Sequence, residues 1–358
     1  KAVAGWDTFT RHTPHRPWID EVKIACPTCG KPISRIPDVG NPWLDAGIVA
    51  YSTVQYNTDR EYWRKWVPAD LILECFPGQY RHWFYSLITM STMLENIPPC
   101  QTILGHASIR DEREEEMHKS KGNAIWFDEA VEKMGADVMR WIYATQELTS
   151  HLNFGYGKGK FVRGRFFNTL WNSYAFFVNY ARLVEFAPPE APSDIRQRPD
   201  FDRWILAKLQ HVIHACRTGF ERYDVRSTCR ALEEFLDLLS NWYIRNNRRR
   251  YWHSDLNEDT RYAYETLFEC LDTTLRLLAP IVPMITEACY QNLIRSVAPA
   301  QPESIHLTRY PAADDAIVDE QLVADMDNIV RIHQLALSAR EQAKIKIRQP
   351  LACLLIAP

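Results

Sequence analysis

A short loop at residues 116–123 combines residue types that bind phosphate, and it is called the phosphate loop below. It reads Glu-Met-His-Lys-Ser-Lys-Gly-Asn, and helix-like sequence follows it through Trp141. Lys119 and Lys121 are flexible cations around the hydroxyl of Ser120, and such groups stabilise charge that develops on a departing pyrophosphate. The loop therefore predicts electrostatic catalysis at a phosphate. For so short a motif, a solvated charged turn is the alternative.

A run of arginines and aromatic residues between positions 242 and 252 predicts RNA binding. Arginines contact phosphates and bases, and aromatic rings stack on unpaired bases. The residues predicted to bind RNA are Trp242, Arg245, Arg248, Arg249 and Arg250. A solvated helix face held by salt bridges is the alternative. A second basic stretch, 158–165, predicts a further RNA contact unless Arg163 and Arg165 only cap the preceding helix.

Cys26 and Cys29 form a C-x-x-C pair, which supplies half of a four-ligand structural zinc site. Nearby histidines are weak substitutes for the missing ligands, so this chain holds only half a site. A structural Zn²⁺ in the full-length protein is implied only by the family resemblance described below. The chain has nine cysteines in all. Most of the others lie inside apolar helical patterns, which predicts reduced core thiols in a cytoplasmic protein.

Composition limits the class of protein. The chain has 358 residues, of which 46% are hydrophobic, and this predicts two or three globular domains. The net charge of −3 means that nucleic acid must be bound by a local basic patch. No apolar run approaches the roughly 20 residues of a membrane span, and the first residues do not resemble a signal peptide. We therefore expect a soluble protein that has no membrane partner.

Three segments differ in their hydrophobic periodicity. Residues 1–45 are polar and irregular, typical of a linker or the remnant of an inserted module. Residues 46–150 alternate short apolar runs with helix-like stretches, 80–94 and 127–143, which favours a parallel α/β sheet. Residues 151–358 have helical periodicity and predict a helical bundle with a hinge at the proline-rich 188–199. Its two clearest apolar stripes are Ile205, Leu209, Val212, Ile213 and Cys216, and Leu267, Leu271, Leu275 and Leu278.

Seven motifs in sequence order resemble the class I aminoacyl-tRNA synthetases of the Ile/Val/Leu group, most closely the isoleucyl-tRNA synthetases. They are HRPWID (15–20), PWLDAG (42–47), QYRHWF (79–84), ILGH (103–106), FDRWIL (201–206), LSNWYIR (239–245) and KIRQPL (346–351). The phosphate loop overlays the family's KMSKS motif without a gap from His106. The resemblance covers nearly the whole chain. It implies the second half of a Rossmann-type catalytic domain, followed by an α-helical stem-contact and anticodon-binding domain.

The resemblance also implies roles for individual residues. Trp43 and Trp83 would wall an isoleucine pocket. Glu74, Gln79, His106, Met117 and His118 would bind ATP or the adenylate. Gly78 would let backbone amides approach the ligand, with a tight turn as the alternative. The implied substrates are ATP with Mg²⁺, isoleucine and tRNA(Ile), and the implied state is a monomer.

Two segments depart from the family pattern. The segment from Glu74 to Gln79 is one residue longer than EGxDQ and lacks the aspartate that would hold the ribose. In the phosphate loop, Glu116 replaces the first lysine and His118 the first serine, so Lys119 is expected to carry most of the stabilisation. The preceding acidic run, 111–116, would oppose a bound triphosphate, with a solvated turn as the alternative.

The HIGH motif of this class does not occur in the chain, so the fragment alone is predicted to be inactive in adenylation. The start at Lys1 and the strand-like run that stops at Pro358 predict an internal piece of a longer protein. Valine or leucine specificity is the near alternative to isoleucine. A catalytically weakened tRNA-binding paralogue is the alternative from another class, favoured by Glu116 and by the altered segment 74–79.

Overall fold

The computed structural model describes residues 2–10, 12, 16–38, 40–76, 78–118, 121–253 and 255–356. The chain divides into two compact units, Lys1–His106 and Ala107–Pro358. This division lies inside the segment 46–150 that the sequence assigns to one domain. Each unit is therefore described by itself.

The first unit begins with a small antiparallel sheet and continues with short helices around a parallel strand pair. Its strands are β1 Ala2–Ala4, β2 Lys23–Ala25, β3 Pro32–Ser34, β4 Ala69–Cys75 and β5 Cys100–His106. Its helices are α1 Trp6–Phe9, α2 Pro42–Gly47, α3 Val49–Ser52, α4 Arg60–Trp66 and α5 Trp83–Glu95. Strands β1 to β3 form the antiparallel sheet in sequence order, and their residues are exposed.

The β4–α5–β5 segment is a parallel βαβ unit. Residues of β4 pair with residues of β5 in register from Ala69 opposite Cys100 to Cys75 opposite His106. The apolar runs at 71–73 and 102–104 lie in these strands, as their composition predicts. Helix α5 ends where Asn96 adopts a left-handed conformation with φ 53°, a common helix ending for asparagine. The predicted parallel pairing is present, in a sheet smaller than that of a complete Rossmann-type domain.

The second unit is mostly helical. Its two short parallel strands are β6 Ile109–Arg110 and β7 Leu152–Asn153. Its helices are α6 Phe127–Met134, α7 Ala136–Ala144, α8 Tyr156–Val162, α9 Asn168–Leu183, α10 Asp200–Glu221, α11 Val225–Asp237, α12 Arg245–Asn247, α13 Glu258–Leu278, α14 Pro283–Tyr290 and α15 Glu320–Gln342. Within the described ranges, no helix is both long and apolar enough to cross a membrane.

The core of the second unit is built from the two apolar stripes that the sequence identifies on α10 and α13. All nine residues of these stripes are buried and belong to one continuous hydrophobic cluster. Burying a leucine or isoleucine side chain contributes about 1.5–3 kcal/mol. The predicted helical bundle is therefore confirmed in this unit.

Three π-helical turns interrupt the helices of the second unit. They are Arg163–Phe167 between α8 and α9, Leu238–Ile244 between α11 and α12, and Gln291–Arg295 after α14. Each turn keeps the chain helical while it changes which side of the helix faces the core. Such turns are frequent at functional sites.

The predicted helix 127–143 is two helices. Gly135, with φ 87°, separates α6 from α7. The Arg163 guanidinium donates hydrogen bonds to the carbonyls of Lys133 and Met134, at 3.2 and 2.7 Å. It thereby satisfies carbonyls that the end of α6 leaves open. Arg163 is thus a helix cap, the alternative that the sequence left open for this residue.

The proline-rich segment predicted as a hinge is fastened to α13. Arg198, whose side chain is 0% exposed, donates to Glu269 Oε1 at 2.7 Å and to Glu265 Oε2 at 3.3 Å. The same guanidinium donates to the hydroxyl of Thr266 at 3.0 Å. Because both glutamates lie on α13, movement at this point would break a buried ion-pair network.

Candidate functional site

Helices α2 and α5 bring the two predicted pocket tryptophans onto neighbouring elements. Asn41 starts α2 by accepting a hydrogen bond from the Trp43 amide at 3.0 Å, with Pro42 in the first turn. Gly47 ends α2 against α5, where a Cβ atom would lie 2.6 Å from Ser86 Cβ. The missing side chain at Gly47 therefore permits the close approach of the two helices.

Both tryptophans are half-buried. The Trp83 indole N–H donates to the carbonyl of Ala46 in α2 at 3.1 Å. The Trp43 ring lies 4.6 Å from the ring of His82, centroid to centroid. These contacts fix two aromatic rings whose apolar surface stays partly open. Such a surface suits an aliphatic side chain.

Glu74 and His106 lie at the carboxyl ends of the adjacent strands β4 and β5, one position apart in the register, so their side chains leave opposite faces of the sheet. Glu74 pairs with Gly105, and Cys75 with His106, at the carboxyl ends of the two parallel strands. Ligands in open α/β sheets bind beyond this end of the strands. The Glu74 carboxylate accepts a hydrogen bond from the Cys75 amide at 2.8 Å. One carboxylate oxygen is thus oriented by the backbone, while the residue stays half-buried.

Gln79 lies in the short turn Gly78–Tyr80 that leads into α5. Its side-chain oxygen accepts from the Trp83 amide at 3.1 Å, at the first residue of α5. Nδ1 of His82 lies 2.5 Å from the carbonyl of Gly78 and donates to it in the tautomer that carries the proton on Nδ1. Gln79 therefore orients the start of α5, and Gly78 is exposed at the turn.

The phosphate loop of the second unit is closed by Asn123. Its side-chain oxygen accepts from the His118 amide at 2.9 Å. Its amide group donates to Asp111 Oδ2 at 2.9 Å and to the Glu116 carbonyl at 3.2 Å. The sequence pattern assigns no role to Asn123, because a hydrogen-bond partner twelve residues away leaves no local pattern.

The acidic run before the phosphate loop is tied to β7 and α8. Glu112 Oε1 accepts from the Lys158 amide in the first turn of α8 at 3.0 Å. A Cβ atom on Gly155 would lie 2.2 Å from Glu112 Cγ, so this glycine makes room for the carboxylate. Glu114 accepts from the side chain of Asn153 at 3.1 Å. Both residues are exposed, as in a solvated turn, but each carboxylate also has a partner inside the protein.

The predicted loop residues differ in exposure. Met117 is half-buried, whereas His118 and Lys121 are exposed. The His118 ring lies 3.4 Å from the Glu116 carboxylate, a long contact between two exposed side chains. Among the residues that the structure describes, none forms an ion pair with Lys121. Lys119 and Ser120, together with His15 of the first family motif, lie outside the described residues.

The predicted RNA-binding residues separate into exposed and packed groups. Arg245, Arg248 and Arg249 are exposed at α12 and the turn after it, and no described residue forms an ion pair with them. They are called the arginine surface below. Trp242 is half-buried against His333 of α15, with 5.0 Å between ring centroids. Its buried indole N–H has no acceptor within the described part of the chain.

Arg250 belongs to a buried ion-pair network. Its guanidinium binds the two oxygens of Asp202 at 2.7 and 2.8 Å, and Asp202 is fully buried. The Tyr243 hydroxyl donates to the same carboxylate at 2.6 Å. Burial opposes the Arg250 charge, but the bonds to Asp202 outweigh it and raise the pKa of Arg250. Arg250 therefore supports the turn that carries the arginine surface.

Cys26 and Cys29 lie in the turn between β2 and β3. The Cys26 amide donates to the carbonyl of Lys31 at 2.9 Å, and the Gly30 amide donates to the Cys26 carbonyl at 2.8 Å. Hydrogen bonds from the backbone of Cys29 and Thr28 lower the pKa of the Cys26 thiol. Across the described ranges, however, no three His, Cys, Asp or Glu residues cluster as metal ligands. The described residues therefore do not complete a zinc site.

Two family models match the chain. The model described as tRNA synthetases class I (I, L, M and V) matches residues 8–155. The model described as the anticodon-binding domain of tRNA ligase matches residues 202–355. The chain is thus similar to class I tRNA synthetases of this group in residues 8–155 and to their anticodon-binding domains in residues 202–355.

The curated relatives are isoleucine–tRNA ligases. The chain is 38% identical over 348 residues to the enzyme of Thermus thermophilus, covering 96% of this chain and 33% of the relative. It is 39% identical over 346 residues to the enzyme of Dehalococcoides mccartyi, covering 94% and 34%. It is 37% identical over 347 residues to that of Clostridium novyi, covering 96% and 33%. The chain thus spans about a third of the length of these relatives.

Two solved synthetase structures share the fold. One is the LeuRS of Agrobacterium radiobacter K84 in a ternary complex with tRNA and LeuAMS, with a TM-score of 0.62 and 19% identity. That match covers 84% of this chain and 36% of the LeuRS. The other is the methionyl-tRNA synthetase of Mycobacterium tuberculosis with methionyl-adenylate, with a TM-score of 0.60 and 17% identity. It covers 80% of this chain and 60% of that protein.

Proposed function

We propose that this chain is part of an isoleucine–tRNA ligase, which activates isoleucine with ATP and transfers it to tRNA(Ile). The carrying observation is that the parallel strands β4 and β5 end at the same edge of the sheet, so that Glu74, His106 and the turn that holds Gln79 all lie at the carboxyl end where ligands of α/β sheets bind. The identity of 38% to an isoleucine–tRNA ligase over 96% of this chain supports the same amino acid. ATP is bound as its Mg²⁺ complex, and the enzyme acts in the cytoplasm as a monomer.

The first unit supplies the amino-acid and adenylate contacts in this proposal. Trp43 and Trp83 bind the isoleucine side chain, and Glu74 and Gln79 bind the ammonium group and the adenylate. A carboxylate facing an ammonium forms a charge-assisted hydrogen bond. His106 and Gly78 lie beside the nucleotide, and β4–α5–β5 is part of the second half of a Rossmann-type catalytic domain, residues 46–150.

The phosphate loop supplies the transition-state charge. Lys119, Ser120 and Lys121 bind the pyrophosphate as negative charge develops on it, while Met117 and His118 contact the nucleotide. Lysine side chains are flexible and can follow a migrating anion, and Lys121 is exposed without an ion-pair partner among the described residues. The carboxylates of Glu112 and Glu114 repel a bound pyrophosphate less than free carboxylates would, because both accept hydrogen bonds within the protein.

The segment 151–358 binds the tRNA, with the arginine surface as its main anticodon contact. Three exposed guanidinium groups without carboxylate partners favour RNA phosphates and bases. Trp242 and Arg250 hold this surface in place through α15 and Asp202. In this role they support the contact that Arg245, Arg248 and Arg249 make.

The experiment is ATP–pyrophosphate exchange on the full-length protein with isoleucine, valine and leucine in parallel. We expect exchange with isoleucine far above the other two. Exchange with valine or leucine as the preferred substrate would reassign the specificity. Retained tRNA binding without any exchange would replace the enzyme with a catalytically weakened tRNA-binding paralogue. The chain of residues 1–358 alone is expected to show no exchange.

A further inference from the structure

One side chain joins both ends of the phosphate loop. The oxygen of the Asn123 amide accepts from the backbone at His118, and its nitrogen donates to Asp111 and to the Glu116 carbonyl. Both N–H donors and the acceptor of Asn123 are therefore used inside the protein. A side chain whose amide is occupied in this way acts on a ligand only through the loop that it holds.

Asp111 is itself fixed by the backbone. Its Oδ1 accepts from the amides of Arg113 and Glu115, both at 2.9 Å. Its own amide donates to the Glu115 carbonyl at 2.9 Å. The hydrogen bond from Asn123, followed by those from the backbone, lowers the pKa of Asp111 below its ordinary value. Asn123 therefore donates to a carboxylate whose position the preceding turn sets.

The turn that orients Asp111 is anchored to α8. Glu112 follows Asp111 directly and accepts from the Lys158 amide at 3.0 Å. Glu114 bonds to Asn153 of β7, and β7 pairs with β6, the strand that precedes Asp111. The hydrogen bonds of Asn123 thus connect the phosphate loop to fixed secondary structure of the second unit.

We propose that Asn123, oriented by Asp111, is the positioning residue that sets the geometry of the phosphate loop for pyrophosphate binding. The inference rests on the proposed function, because that function assigns the loop its ligand. A cation misplaced by about 1 Å can cost about 10²-fold in rate. A cradle made of flexible lysines therefore needs a backbone that is held from within, and Asn123 provides that hold.

The test compares three variants of the full-length protein in ATP–pyrophosphate exchange. Asn123→Ala removes the three hydrogen bonds, and Asp111→Asn removes the charged acceptor. The double variant Asp111→Asn with Asn123→Asp exchanges donor and acceptor and restores two of these three bonds. Glu115→Gln is the matched control, because it removes one negative charge from an exposed side chain in the same turn.

We expect Asn123→Ala to lower kcat by about 10- to 100-fold while the KM for isoleucine stays within about twofold of wild type, because the pocket lies in the other unit. The double variant should recover more than half of the loss on a logarithmic scale, and Glu115→Gln should match wild type. A normal kcat in Asn123→Ala, or a double variant as slow as the single ones, would overturn the proposal.

A second measurement separates this proposal from the proposed function. Trypsin cleaves after lysine, so a loosened loop should be cut faster at Lys119 or Lys121 in Asn123→Ala than in wild type at equal thermal stability. Faster cleavage of Asn123→Ala, in a protein whose wild type shows no exchange, would support the role of Asn123 in the loop and contradict the proposed enzymatic function. Equal cleavage rates in the variant and wild type would contradict the proposal that Asn123 holds the loop.

Discussion

The ion pair between Asp202 and Arg250 gives the sharpest stability prediction. Asp202 is 0% exposed and accepts two hydrogen bonds from Arg250 and one from Tyr243. Asp202→Asn keeps the shape but leaves a guanidinium that is 14% exposed facing an amide. Losing one partner of a buried pair costs about 3–5 kcal/mol. Asp259 also binds this guanidinium at 2.9 Å, so we expect the lower end, about 3 kcal/mol.

Urea unfolding followed by helical circular dichroism measures this loss. Asp200→Asn is the control on the same helix, because Asp200 is 74% exposed in its pair with Arg203 and surface pairs contribute about 0–1 kcal/mol. Arg250→Met combined with Asp202→Leu should cost less than the sum of the two single changes, because no unpaired charge remains buried. A loss below about 1 kcal/mol for Asp202→Asn would refute the view that this pair holds the turn.

Three further predictions concern RNA binding, the loop anchor and pH. Arg249→Gln should reduce the salt dependence of tRNA binding by about one charge in a titration series. Gly155→Ala should lower the free energy of unfolding by about 1–3 kcal/mol, because the added Cβ clashes with Glu112. Gly164→Ala should not, because no atom outside its own helix and chain neighbours lies within 4 Å of the Cβ that it would add. Hydrogen bonds from the Tyr56 hydroxyl and the Arg60 guanidinium hold the pKa of Glu95 below its ordinary 4.5. The contribution of ionised Glu95 to the free energy of unfolding is therefore fully present above pH 4.5 and is lost as pH falls through the lowered pKa. Glu95→Gln should make the fall of protein stability at acid pH less steep.

Each of these has a result that would contradict it. For RNA binding, the control is Arg196→Gln, which removes an exposed arginine already paired with Asp194. An equal change of salt slope in both variants would mean general charge rather than a contact. Equal melting temperatures for the two glycine variants would exclude the clash. An unchanged acid limb in Glu95→Gln would assign the acid sensitivity to other carboxylates.

The sequence predicts best those features that repeat along the chain. The stripes on α10 and α13 have a helical period, and every residue in them is buried. The parallel pairing of β4 and β5 likewise follows from short apolar runs joined by a helix-like stretch. Periodicity fails at single residues: Gly135 divides one predicted helix, because its backbone conformation, with φ 87°, interrupts the hydrogen-bond ladder.

Contacts between distant residues were beyond the sequence patterns. Arg250 looks like its neighbours in the chain, and only its bond to Asp202, 48 positions earlier, separates it from the exposed arginines. The acidic run 111–116 looks like a solvated turn because its partners, among them Asn123 and the amide of Lys158, are not adjacent. Charge and composition are local properties, whereas these pairings depend on the fold.

The π-helical turn Leu238–Ile244 has a consequence for the spacing of the RNA-binding run. In a regular helix Trp242, Arg245 and Arg249 would share one face, since they are three and seven residues apart. Here the π-helical turn and the 3₁₀ turn Arg248–Tyr251 after it change the angular positions of these side chains around the helix axis. The Trp242 indole packs against α15, while Arg245 and Arg249 remain in solvent. The spacing of this segment therefore decides which of its side chains reach solvent. Deleting one residue from it would rotate the guanidinium groups toward the protein while leaving every remaining side chain chemically intact.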